Sequence, residues 1–317
     1  MSHVPAISPQ VFWPYFTAVV FSLLAIFRLA RASPPLRNWR MLLPLGSSCI
    51  AVPMAVFGAD HLSASRDIMQ VVPAWMPGRL FWAYFVGACL FAAALSIILK
   101  IKLRLASLLL GSMLLLFVLL IHLPNGLAKP GRFHWIYAAR DLVFACGALI
   151  LGTTEHIRGR SANRFVLTMQ FVIAAIAVFY GAENLRHPEC VPAVPLERLM
   201  PTWIPLGPLW TSVSGVALIL GGVAMLSARS RQIGAAALGV LVLLLVLFIY
   251  VPMMIAKPDV DSLNYVFDTL VFAGTFLVAA NAGATPSEVH SDVRFYCPSK
   301  PSPPKGELLM NDGEEHP

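Results

Sequence analysis

The chain has 317 residues, of which 58% are hydrophobic and only 12% are charged, and its formal net charge is +7. A soluble protein has about a quarter of its residues charged and could not bury so many long apolar runs in its cores. The basic residues lie in short segments between these runs and form no basic domain, which argues against nucleic acid as a partner. The composition therefore predicts an all-α, polytopic membrane protein whose main partner is the lipid bilayer.

The apolar runs predict nine transmembrane helices, because each comes close to the roughly 20 residues that span a bilayer. In chain order they cover 11–31, 41–58, 79–99, 104–122, 135–151, 165–181, 207–227, 233–251 and 263–281. Residues 1–10, ahead of the first run, contain no Lys or Arg, whereas a signal peptide has positive charge at this place. We interpret the run as an uncleaved anchor, although Ala30-Arg31-Ala32 resembles a cleavage site.

The connections between the predicted helices alternate between two kinds. Those of the first kind are short and basic, with Arg28, Arg31, Arg37 and Arg40, then Lys100, Lys102 and Arg104, then Arg158, Arg160 and Arg164, then Arg229 and Arg231. Those of the second kind are longer and of mixed charge, over 60–79, 124–134, 183–205 and 252–264. The positive-inside rule places the basic kind in the cytoplasm, with the N-terminus outside and the C-terminus cytoplasmic. We expect a multi-pass protein of the bacterial inner (cytoplasmic) membrane, with a disordered cytoplasmic tail over 282–317.

Two halves of the chain repeat one another. The segment 57–62 (FGADHL) recurs at 180–185 (YGAENL), and 73–77 (PAWMP) recurs at 201–205 (PTWIP). Matching residues of the two halves differ in number by 123 before the first outer connection and by 128 after it. The second copy therefore carries one five-residue insertion in this connection. Each copy has four helices, an even number, and both cross the membrane in the same direction. The pattern predicts two parallel tandem four-helix bundles, 41–151 and 164–281, after an N-terminal helix and basic loop over 1–40.

Polar side chains gather at the predicted outer ends of the helices, where ionisable groups at membrane depth are costly and usually functional. The candidate ligand-binding residues are Asp60, His61, Trp75, His122, Arg140, Asp141, Glu183, Trp203, Tyr250 and Asp268. Arg140 and Asp268 occupy equivalent positions in the two copies, which predicts an ion pair between them. The alternative is an outward-facing cavity lined by acids and histidines. No pattern identifies a catalytic residue, and whether the chain is an enzyme stays open.

A quinone is one candidate ligand, because it needs an apolar slot with a few hydrogen-bonding groups near the interface. Trp75, Trp203, His122 and Tyr250 are the side chains that we expect to form such a slot. A haem or metal ion is disfavoured, because the histidines lack tight ligand spacing and the five cysteines form no Cys-x-x-Cys pair.

The motifs of both copies resemble the DoxX-like family of bacterial membrane proteins. In the first copy the resemblance rests on 58–62 (GADHL), 73–77 (PAWMP) and 122–124 (HLP), and in the second on 187–189 (HPE), 192–196 (PAVPL) and 201–205 (PTWIP). The resemblance covers about residues 41–281. The chain is similar to the tandem, uncharacterised members of the family. The resemblance implies four-helix units. The family takes its name from a small subunit of a thiosulfate:quinone oxidoreductase, and other members are linked to oxidative-stress tolerance or to membrane-protein assembly.

Three functions follow as hypotheses. The first is a redox-linked, quinone-associated membrane subunit that works with a partner membrane or periplasmic subunit. The second is a non-enzymatic membrane scaffold or assembly factor. The third is a small-molecule transporter, which parallel repeats permit.

Overall fold

A computed structural model describes residues 8–32, 42–154, 160–193 and 198–282. The predicted tail beyond 282, and the basic residues Arg37, Arg40 and Arg158, lie outside these residues.

Within the described ranges, nine helices are long and apolar enough to cross a membrane, which confirms the predicted all-α, polytopic fold. They are α1 (Pro9–Ala32), α2 (Leu45–Ser63), α3 (Arg79–Leu99), α4 (Leu103–Ala128), α5 (Arg132–Thr154), α6 (Arg160–Arg186), α7 (Gly207–Leu226), α8 (Arg231–Ala256) and α9 (Val260–Ala282). A single helical turn, Ser65–Ile68, follows α2.

The predicted ends of α4 and α8, at residues 122 and 251, are wrong. Both helices pass through a π-helical turn, Val118–His122 in α4 and Val246–Tyr250 in α8, and continue for a further turn. Pro124 and Pro252 follow these turns by two residues in each case. A proline ring clashes with the carbonyl four residues before it. Widening the preceding turn relieves the clash without ending the helix.

The first helix of each copy also differs from its predicted bounds. Helix α2 begins only after Pro44 and runs on to Ser63, beyond the predicted end at 58. Helix α6 extends about five residues past its prediction at each end. Some of the added residues, such as Arg160 and Arg186, are charged, and long side chains of this kind keep their head groups in water while the backbone stays helical.

Helices α5 and α9, the last helix of each copy, form the centre of the protein. They have 78% and 83% of their spanning windows buried, more than any other span in the described residues. They pack on each other, and the first helix of each copy packs on the last helix of the other, α2 on α9 and α6 on α5. The two copies therefore contact each other through their first and last helices, while α1 packs on the outside of α2.

Matching features recur at matching positions of the two copies. Gly58 crosses Gly87 so closely that a Cβ at Gly58 would lie 2.9 Å from the Gly87 carbonyl oxygen, and the distance for Gly181 and Gly215 is 2.6 Å. These glycines let α2 pack on α3, and α6 on α7, with their backbones in contact. The residue before α3 is Gly78 and the residue before α7 is Leu206, and both are left-handed, with φ of 66° and 57°.

Candidate functional site

The longer connections lie at one end of the helices, which we name the loop end. Contacts between the connections and α1 define it: Gln10 Nε2 donates to Asp67 Oδ2 at 3.2 Å, and Tyr15 Oη donates to the Asp259 carbonyl at 3.1 Å. The predicted site residues lie toward this end of the helices and in its connections.

A network of four ionisable side chains lies at the loop end between α4, α5 and α9. Arg140 Nη1 donates to Asp268 Oδ2 at 2.9 Å, which confirms the predicted ion pair between the two copies. Arg140 Nε also donates to Asp141 Oδ1 at 3.1 Å. The other oxygen of Asp141, Oδ2, lies 2.8 Å from His122 Nε2. The network thus joins both copies and reaches the protein surface at His122, whose side chain is 17% exposed.

The charges in this network balance only when it holds a proton. One guanidinium faces two carboxylates, so the group has a net charge of −1 with neutral His122 and is neutral when His122 is protonated. Net charge is costly in a low-dielectric interior. Tyr137 and Phe144 from α5 add their ring faces to Arg140, whose guanidinium carbon lies 5.1 and 6.0 Å from their centroids. The His122–Asp141 pair therefore joins a carboxylate of the network to an imidazole at the protein surface.

Hydrogen bonding assigns the tautomers of the two histidines in the first copy. An ionised carboxylate only accepts, so His122 Nε2 carries a hydrogen toward Asp141, and in the neutral imidazole Nδ1 then presents a lone pair. His61 Nδ1 lies 2.8 Å from the Phe57 carbonyl oxygen, so His61 carries its hydrogen on Nδ1 and presents a lone pair on Nε2. When neutral, both imidazoles therefore offer an acceptor.

The equivalent place in the second copy is closed by the chain itself. Tyr250, at the position of His122, donates its hydroxyl to the Pro192 carbonyl at 2.5 Å and is 1% exposed. Thr211 Oγ1 donates to the Cys190 carbonyl at 2.6 Å, and Asn184 Oδ1 accepts from the Ala193 amide at 3.2 Å. All of residues 190–193 are buried, and we name this segment the plug. Burial raises the pKa of the Cys190 thiol.

The remaining acidic candidates sit at contacts between the copies. Glu183 of α6 accepts from Arg132 Nε of α5 at 2.9 Å and from Arg186 Nη1 at 3.0 Å. Asp60 of α2 lies 3.5 Å from Asn264 Nδ2 of α9. These acids join the first helix of one copy to the last helix of the other.

The two predicted tryptophans are not brought into the network. Trp75 and Trp203 lie in the connections and are 69% and 53% exposed. The tryptophans that follow, Trp82 and Trp210, each donate to a proline carbonyl of the preceding turn, at 3.0 and 3.2 Å. The Pro-x-Trp-x-Pro segments thus form matching turns ahead of α3 and α7.

Three features at the loop end were missed by the sequence reasoning. Arg132 was predicted to lie in a connection, but it is the first residue of α5 and forms an ion pair with Glu183. Tyr180 was noted only as a repeat match, yet it is buried and donates to the Ile136 carbonyl at 2.7 Å. The plug left one signal in the sequence, the five-residue insertion, whose conformation the sequence does not indicate.

Over the described residues, no three His, Cys, Asp or Glu side chains are grouped so that they could hold a metal ion. No family model, no curated protein and no solved structure matches the chain.

Proposed function

We propose that the chain is a DoxX-like membrane protein that arose by internal duplication and serves as a redox-linked, quinone-associated subunit. The resemblance of the motifs supports the family. The matched π-helical turns, glycine crossings and left-handed residues at equivalent positions support the duplication.

The observation that carries the redox proposal is the His122–Asp141 pair at 2.8 Å, connected through Arg140 to Asp268. A quinone takes up protons together with electrons when it is reduced, and it releases both when it is oxidised. A partly exposed imidazole that can hold one proton, at the end of an apolar helix, suits the transfer of that proton. The electrons would pass to or from a partner membrane or periplasmic subunit.

We also propose a sidedness for the protein. Basic residues such as Arg28, Arg104, Arg164 and Arg229 lie at the end opposite the loop end. By the positive-inside rule, this distribution supports a loop end, with the network, on the outer face of the bacterial inner membrane.

A membrane scaffold or assembly factor is the second candidate. The observation that favours it is the Arg140–Asp268 pair, since a charged pair between the copies can have a purely structural role that orients their packing. Transport has less support, because the irregular turns of α4 and α8 lie toward the loop end and not at the middle of the helices.

Purification of the protein from its native membranes in mild detergent tests these functions against each other. The redox proposal expects a quinone in the solvent extract together with a co-purifying partner. A partner without quinone would favour the scaffold. Uptake of a substrate into proteoliposomes, again without quinone, would favour the transporter.

A further inference from the structure

A cavity of about 260 Å³ lies between α5, α6, α8 and α9, at the end of the helices opposite the loop end. Ala162, Val166 and Gln170 line it from α6, because residues four apart lie on one face of a helix. The other polar side chains that line it are Thr153 and Thr154 of α5, Asn163 of α6 and Arg231 of α8. The volume is slightly below the roughly 300–1,000 Å³ of sites for drug-sized ligands, so the cavity suits a small polar group.

The side of the cavity formed by α5 and α6 offers hydrogen-bond acceptors. Thr153 and Thr154 donate their hydroxyl hydrogens to backbone carbonyls of their own helix, at 2.7 and 2.9 Å, so these oxygens can only accept from a ligand. Gln170 is 4% exposed, and its Nε2 donates to the Ala279 carbonyl at 2.8 Å. Its Oε1 accepts no hydrogen bond within the described ranges, yet it is not among the buried polar atoms without a partner, so it reaches the cavity surface. These oxygens favour a ligand group that donates hydrogen bonds.

Arg231 supplies a positive charge from the α8 side of the cavity. Its Nε donates to the Met225 carbonyl at 3.0 Å, and its guanidinium carbon lies 5.3 Å from the centroid of the Phe171 ring on α6. These contacts hold the guanidinium in place. Its Nη1 atom donates to no group, and no carboxylate pairs with it, in the part of the chain that the structure describes. The guanidinium can therefore bind an anion without first breaking an ion pair.

The surroundings of the cavity favour a lipid as the source of the ligand group. Phe165 and Phe171 of α6 are 39% and 40% exposed, on an apolar helix surface that lipid would cover. Because Arg231 stacks on Phe171, its guanidinium lies where the cavity meets this surface. Basic pockets between transmembrane helices bind phospholipid headgroups. A phospholipid can thus place its headgroup in the cavity and its acyl chains against the two rings.

We propose that this cavity binds a phosphoethanolamine group, the headgroup of an aminophospholipid. The phosphate accepts from Arg231, while the ammonium donates to Gln170 Oε1 and to the two hydroxyl oxygens of α5. A headgroup with only an anion leaves Gln170 Oε1 unsatisfied, and a trimethylammonium headgroup has no hydrogen to donate. The equivalents of Gln170 and Arg231 in the first copy are Ser47 and Leu103, so the equivalent place lacks this pair of groups.

The test measures binding of phospholipids with identical acyl chains to the full chain in detergent, by native mass spectrometry over a lipid titration. The lipids have ethanolamine, choline or glycerol headgroups, and soluble glycerophosphoethanolamine is measured beside them. The variants are Gln170→Met, which removes the acceptor, and Arg231→Gln, which removes the charge. The matched controls are Gln232→Met and Arg229→Gln, since neither residue lines the cavity. Gel filtration first establishes that each variant is folded.

The proposal expects the wild type to bind the ethanolamine lipid about tenfold more tightly than the choline lipid, because one hydrogen bond from a charged group separates them. Gln170→Met should bring the two lipids to similar affinity. Arg231→Gln should weaken the binding of both about fivefold or more, because both carry the phosphate. The two controls should retain the affinities and the preference of the wild type.

Equal binding of the ethanolamine and choline lipids to the wild type would overturn the ammonium assignment, and so would tighter binding of the glycerol lipid. A preference for ethanolamine that persists in Gln170→Met would overturn the site, even if Arg231→Gln does not fold. Soluble glycerophosphoethanolamine that binds as tightly as the lipid would overturn the assignment to a phospholipid.

Discussion

Arg140 and Asp268 lie 128 residues apart, at equivalent positions of the two copies, and form an ion pair of 2.9 Å between α5 and α9. One turn further along the same two helices, Phe144 and Phe272 are again equivalent and pack edge to face, with centroids 5.5 Å apart. The contact between the copies is thus built from equivalent positions, one pair of which carries opposite charges.

Removing Arg140 should destabilise the protein more than removing Asp268. Arg140→Ala leaves Asp141 and Asp268 buried without a cation, and breaking a buried pair costs about 3–5 kcal/mol. Asp268→Ala leaves Arg140 paired with Asp141 and should cost less. The double change should partly restore the folded yield relative to Arg140→Ala, measured by gel filtration in detergent. If the two single effects simply add, the pairing account is wrong.

Glu183 should contribute to the stability of the protein, whereas Glu189, another acid of the loop end, should not. Glu183→Gln removes the carboxylate that Arg132 Nε and Arg186 Nη1 both bind, and we expect a loss of about 1.5–3 kcal/mol. Glu189→Gln is the matched control, since Glu189 has a side chain 53% exposed and lies 3.2 Å from His187. Its thermal unfolding midpoint should stay close to that of the wild type, because solvent screens an exposed pair. Equal shifts in the midpoint for the two variants would contradict this assignment.

Leu206→Gly should stabilise the protein, although it removes a large side chain. Leu206 is left-handed, with φ of 57°, and 68% exposed, so glycine relieves backbone strain and loses little burial. The left-handed conformation costs about 1–2 kcal/mol for a residue with a Cβ. Leu209→Gly, a change of an exposed leucine inside α7, should instead destabilise by about 1 kcal/mol. A lower unfolding midpoint for L206G than for L209G would refute the strain argument.

Reporter fusions test the sidedness. A reporter placed after Arg104 should indicate the cytoplasm, and one placed after Pro130 should indicate the outside, because α4 separates the two positions. Alkaline phosphatase and green fluorescent protein give opposite signals on the two sides. The same side for both positions would rule out the topology.

Much of this fold could be predicted because long apolar runs indicate spanning helices, and a constant offset between matching segments indicates two equivalent units. The Arg140–Asp268 pair was predicted because equivalent positions of parallel copies meet at their shared contact. The extensions of α4 past Pro124 and of α8 past Pro252 were not predicted, since a π-helical turn has no distinct composition. The plug was not predicted either, because its conformation is set by Thr211 and Tyr250, which are distant in sequence.

The quinone content of the purified protein tests the central claim, that the His122–Asp141 pair forms part of a quinone site. The measurement compares quinone per chain in wild type, His122→Ala and His187→Ala, after purification from native membranes. His187 lies at the same end of the protein but pairs with the exposed Glu189. The account predicts quinone in the wild type and in His187→Ala, and its loss from folded His122→Ala. Absence of quinone from wild type, or equal content in all three proteins, would contradict it.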